Sequence, residues 1–113
     1  MSKITLDTIL IEWKSPNTYS NNFSPPTSKS GVYAIAMFKP TFNQNKRLKK
    51  EIVYIGCSVN LLVRLKSHEV IKVLRAMFDG FYISVHFKEC DNYKSLEKQL
   101  IGKFQPRINQ QHG

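Results

Sequence analysis

Apolar and polar positions along the chain fall into short blocks whose period changes from block to block. Leu6, Ile9, Leu10 and Trp13 follow Thr5 at i, i+3, i+4 and i+7, the spacing of one helix face behind a capping hydroxyl. Residues 14–30 are rich in Ser, Asn and Pro and read as an irregular connection, in which Tyr19 and Phe23 either pin the segment down or stack on bases. Residues 31–38 are an apolar strand. Alternation sends Tyr33, Ile35 and Met37 to one face and Val32, Ala34, Ala36 and Phe38 to the other, so both faces are expected to be covered. A polar loop over 39–50 leads to a second strand at Ile52, Val53, Tyr54 and Ile55, expected to run antiparallel to the first and to end in a turn at Gly56.

A helix capped near Ser58 or Asn60 follows. Its first stripe is Leu61, Leu62 and Leu65, whereas Val70, Val73, Leu74 and Met77 form a stripe rotated away from it. A straight helix cannot turn both stripes to one core, which predicts a break near 67–70. Asp79-Gly80 marks a turn, and 81–88 alternate as a third strand with Tyr82, Ser84, His86 and Lys88 on a polar face, making His86 a surface histidine. Residues 91–104 carry a last helical stripe of Tyr93, Leu96, Leu100, Ile101 and Phe104, headed by Asp91 or Asn92. Glu97 lies within that stripe, where a carboxylate needs a partner or a metal. Pro106 stops the helix and returns Asn109 towards the sheet.

Length and charge narrow the picture. A chain of 113 residues is expected to form a single domain, with a helix and irregular extension over 1–29 and a core over 30–110. No apolar run is long enough to cross a bilayer, and no charged-then-apolar leader opens the chain, so a cytoplasmic location is expected. Cys57 and Cys90 have neither disulfide-framework nor metal-ligand spacing and read as reduced. Seventeen basic residues against eight acidic ones give a formal charge of +9. A polyanionic partner explains this most simply, nucleic acid before an anionic membrane. Arg64 and His68, four residues apart, share a helix face at the border of the first stripe, where a substrate can sit beside Tyr54.

Gly31-Val32-Tyr33, Tyr54-Ile55-Gly56, Arg64, His68, Glu97, Pro106 and Asn109 occur in the order and on the element types of the GIY-YIG nuclease superfamily, which residues 30–110 resemble. Val32 stands for the isoleucine of the first motif, and the basic loop lengthens the gap between the two tyrosines. The resemblance implies an α+β fold, a small three-stranded antiparallel sheet flanked by helices. It implies divalent-metal-dependent hydrolysis of DNA phosphodiester bonds. In that scheme Tyr33 takes a proton from the attacking water, with help from nearby cationic charge, from metal-bound water or from a relay through His68, because a free phenol is a poor base at pH 7. Tyr54 holds the phosphate or water, and Arg64 donates to non-bridging oxygens. Glu97 binds one Mg²⁺ or Mn²⁺, and Asn109 orients the phosphate. Lys46, Arg47, Lys49, Lys50 and Lys66 would grip the DNA backbone. RNA is the less expected substrate, and a homodimer would serve to cut both strands. A bacterial, phage or mobile-element setting is expected. The competing expectation is a catalytically silent nucleic-acid-binding or partner-recruiting module on the same fold.

Overall fold

Strand β1 (Gly31–Phe38) is buried along all but its last residue, and its two apolar faces make it the centre of the sheet. It pairs antiparallel with β2 (Glu51–Ser58) on one side and β3 (Tyr82–Glu89) on the other, in the order β2-β1-β3. With its flanking helices this is the expected α+β, three-stranded antiparallel arrangement. The computed structural model describes residues 4–17, 20–38, 50–66, 71–72, 75 and 81–112. The helix break near 67–70, the Asp79-Gly80 turn, the anchor Tyr19 and most of the basic loop lie outside them.

One face of the sheet carries Val32, Ala34, Ala36, Ile52 and Ile55. It is covered by Ile4, Ile9 and Trp13 from the N-terminus and by Leu96 and Leu100 of helix α2 (Tyr93–Phe104). The opposite face carries Ile35, Met37, Val53, Ile83 and Val85 beside Ile108 of helix α3 (Arg107–His112), and Tyr33 and Phe87 beside Leu61 of helix α1 (Leu61–Lys66). Helix α2 thus covers one face while Ile108 contributes to the other, and the chain passes round the β2 side between them. Gln105 makes that passage in the left-handed region (φ 45°), with its N–H bonded to Ile101 O, and buried Pro106 follows.

The N-terminal stripe is helical as expected, with Thr5 and Thr8 exchanging side-chain-to-backbone hydrogen bonds at its start. It widens into a π-helical turn over Thr8–Glu12, closed by Trp13 N–H on Thr8 O at 3.2 Å. The following residues line the outer edge of β3. Phe87 N–H donates to Lys14 O at 2.8 Å, Ser15 Oγ donates to Val85 O at 2.6 Å, and Val85 N–H donates to Asn17 Oδ1 at 2.8 Å. At the other border Asn109 does the same for β2. Its Oδ1 accepts from Ile55 N–H at 2.7 Å and its Nδ2 donates to Ile55 O at 2.8 Å. Side chains thus satisfy backbone groups that edge strands would leave open.

Two expectations need correction. Gly56 is no turn, because β2 continues through it to Ser58, with Gly56 opposite Tyr33. The glycine is there for space: a Cβ would overlap the Tyr33 phenol, which lies across it. His86 is not a surface histidine but 5% exposed, with Ser84 buried beside it. Alternation correctly separates the two faces of β3, and the face read as solvated is exposed at Tyr82 and Lys88 but covered at Ser84 and His86. Ala34 and Ala36 of β1, the register partners of His86 and Ser84, leave room for both polar side chains.

Candidate functional site

Helix α1 is set in place by its start. Asn60 Oδ1 accepts from Val63 N–H at 3.1 Å, while Leu61 and Leu62 N–H donate to Lys29 O and Thr27 O at 3.0 and 2.9 Å. Three otherwise orphaned helix donors are thereby satisfied, and the helix is pinned to the segment before β1. Buried Leu61 then packs with Tyr33 and Phe87, and one turn on Arg64 reaches the sheet. Arg64 Nε donates to the Tyr33 hydroxyl at 3.1 Å. The Tyr33 and Tyr54 rings lie 6.2 Å apart, and their side chains share a hydrogen bond. Tyr33, Tyr54 and Arg64 are therefore brought together as expected.

Their electrostatics follow from burial. Tyr33 is 1% exposed, and loss of water pushes its hydroxyl well above the ordinary phenol value. The Arg64 hydrogen bond opposes the rise and neighbouring Tyr54 adds to it. Arg64 is held still more firmly in its charged form, first through its bond to Tyr33. Tyr33 is thus a neutral phenol at pH 7, lodged over Gly56, and the half-buried Tyr54 is the more accessible of the pair.

Glu97, half-buried on α2, meets the chain at Cys57. The thiol is pushed up to about 11, first by burial and then by its hydrogen bond to Glu97 and by that charge. Cys57 is therefore a protonated thiol beside Glu97. Cys57 packs with the α2 side of the sheet, the face opposite the Tyr33 ring. Asn109 stands on the strand border between these two sites with its amide engaged by Ile55.

The run Tyr54-Ile55-Gly56-Cys57 is consequently a hub. Tyr33 lies over Gly56 with Arg64 bonded to it, Asn109 clasps Ile55, and Glu97 meets Cys57. From Ile55 to Cys57 is roughly 7 Å of strand. Five of the six expected site residues attach to this stretch, some on each face of a border strand. His68 lies outside the described residues, as do Lys46, Arg47 and Lys49. Lys50 sits at the far end of the sheet, 5.0 Å above the Phe38 ring, beside the start of β2 and away from the hub. Lys66 is exposed at the end of α1. The pattern of residues missed Cys57 as the neighbour of Glu97. Its position directly after Tyr-Ile-Gly, on a strand facing the apolar helix stripe that holds Glu97, was the available signal.

Among the described residues no group of three or more His, Cys, Asp or Glu side chains is placed to hold a metal. A single half-buried carboxylate still suits Mg²⁺, which keeps most of its water and takes further oxygens from a substrate. No described helix is long and apolar enough to cross a membrane. Comparison with protein-family models, with curated proteins and with solved structures returns no match.

Proposed function

We propose that this chain is a divalent-metal-dependent endonuclease of the GIY-YIG type, hydrolysing phosphodiester bonds in DNA. The observation that carries the reading is the gathering of Tyr33, Tyr54, Arg64, Glu97 and Asn109 about residues 54–57 of one border strand. The basic balance of the chain favours a polyanionic substrate.

Arg64 bonds Tyr33 through Nε and also faces Tyr54, and its remaining guanidinium N–H groups are suited to non-bridging phosphate oxygens. Tyr54, less buried than Tyr33, meets the attacking water. One of the paired phenols first loses its proton to solvent, and Arg64 stabilises the phenolate; that phenolate then takes the proton of the attacking water and returns to a phenol. Because burial makes Tyr33 reluctant to ionise, the rate rises with pH through the neutral and mildly alkaline range. Glu97 would hold one Mg²⁺ or Mn²⁺, which supplies positive charge for the departing oxygen. Asn109 acts by fixing the strand that carries Tyr54.

A supercoiled plasmid incubated with Mg²⁺ or Mn²⁺ tests the proposal. Nicking by the intact chain, abolished in Glu97→Gln and reduced at least a hundredfold in Tyr33→Phe while DNA binding persists, is the expected result. The burial of Tyr33, together with a Glu97 whose partner lies on the other face, favours a second reading, a nucleic-acid-binding module without catalysis. Binding with no cleavage of plasmid, linear duplex, flap or junction in either metal would replace the first reading by the second.

A further inference from the structure

We infer that the groove between α1, the helical residues near Lys72 and the N-terminal strap holds the phosphate backbone of duplex DNA alongside the reacting bond. The choice of DNA rests on the nuclease reading above. The groove has a volume of about 270 Å³, and its walls include Asn17, Leu65, Lys66, Lys72, Arg75 and Val85.

Charge and position both support this occupant. Lys66, Lys72 and Arg75 are exposed, and among the described residues no carboxylate lines the groove. Two larger hollows, of about 440 and 470 Å³, both include Glu89, joined by Glu12 in one and Asp91 in the other, and so offer mixed charge. Lys72 and Arg75, three positions apart in the chain and each in helical conformation, both line this groove. Long cationic side chains so spaced can reach successive phosphates of one strand. The floor ties the groove to the hub. Leu65, like Tyr54, packs against the cluster of Tyr33, Leu61 and Phe87, and Lys66 is two residues beyond Arg64. A backbone lying across Lys66, Lys72 and Arg75 would therefore lead towards the paired phenols on the same face of the sheet. Asn17 is fixed on the opposite wall by Val85 N–H, so that side is shaped by a residue that already anchors the strap. Lys66 was the one groove cation expected to touch nucleic acid from sequence; Lys72 and Arg75 join it through the geometry.

Fluorescence anisotropy of a short duplex in EDTA, over a range of salt concentrations, reads the groove without requiring cleavage. The triple variant Lys66→Ala, Lys72→Ala, Arg75→Ala is expected to bind at least tenfold more weakly at low salt. Its slope of log affinity against log salt should be shallower by about 2 to 3. The triple variant Lys88→Ala, Lys94→Ala, Lys98→Ala removes the same charge elsewhere and should change that slope by less than about 1. A charge-keeping pair, Lys66→Arg with Lys72→Arg, should bind as the parent does. Equal losses in both alanine triples, an unchanged slope in the groove triple, or no duplex binding by the parent chain would overturn the inference. A parent that binds through the groove but never nicks would defeat the nuclease reading and leave the groove assignment standing.

Discussion

Gly56 and His86 show what single positions contribute that their residue types do not announce. Gly56 lies under the Tyr33 ring, and a methyl group there forces either the phenol or the strand to move. Gly56→Ala should destabilise the chain by about 1–3 kcal/mol in urea unfolding, an overpacking cost, and should also displace the Tyr33–Arg64 contact. His86 is buried with Nε2 2.9 Å from Ser84 Oγ and with no hydrogen-bond partner for Nδ1 among the described residues. Burial lowers its pKa from 6.5 to about 4, with the positive charge of Lys50 a smaller cause. The unfolded chain therefore takes up this proton at a higher pH than the folded one, and stability falls as pH drops from 6.5 towards 4. The loss is on the order of 3 kcal/mol from this residue. Chemical denaturation at stepped pH should show that acid limb, and His86→Gln should flatten it.

At the scale of elements, Asn109 and Gln105 make the β2 border testable. Asn109→Ala leaves Ile55 N–H and C=O without their side-chain partner and should cost about 1–3 kcal/mol, with faster amide exchange at Ile55. Gln105→Gly relieves a left-handed backbone position and should raise stability by about 1 kcal/mol, read as a higher Tm. The strands and the long C-terminal helix were legible because their periods differ and their apolar runs are short. Tyr33, Tyr54 and Arg64 could likewise be placed together from one strand pair and the helix after it. The solvent side of β3 could not be read, since Ile9 and Trp13, which help cover that face of the sheet, come from far upstream. An isolated glycine after an apolar run looks the same whether it turns the chain or makes room for a ring; only the register with Tyr33 separates the two. Glu97 was legible as an acid in an apolar stripe, but its side of the sheet depends on how α2 docks. An amide that imitates a neighbouring strand, as Asn109 and Asn17 do, leaves no periodic trace.

Across the whole molecule, the two faces of the sheet divide the proposed work. The α1 face carries the phenols, Arg64 and the basic groove, while the α2 face presents Glu97 through Cys57. The closed borders constrain how two copies could meet. Ser15, Asn17 and Asn109 already occupy the main-chain groups of Val85 and Ile55 that an incoming ribbon would seek. A second copy cannot lengthen the pleated layer at either position without first displacing these residues. A twofold assembly would have to meet these positions with helices or loops, leaving the sheet there bounded by its own chain.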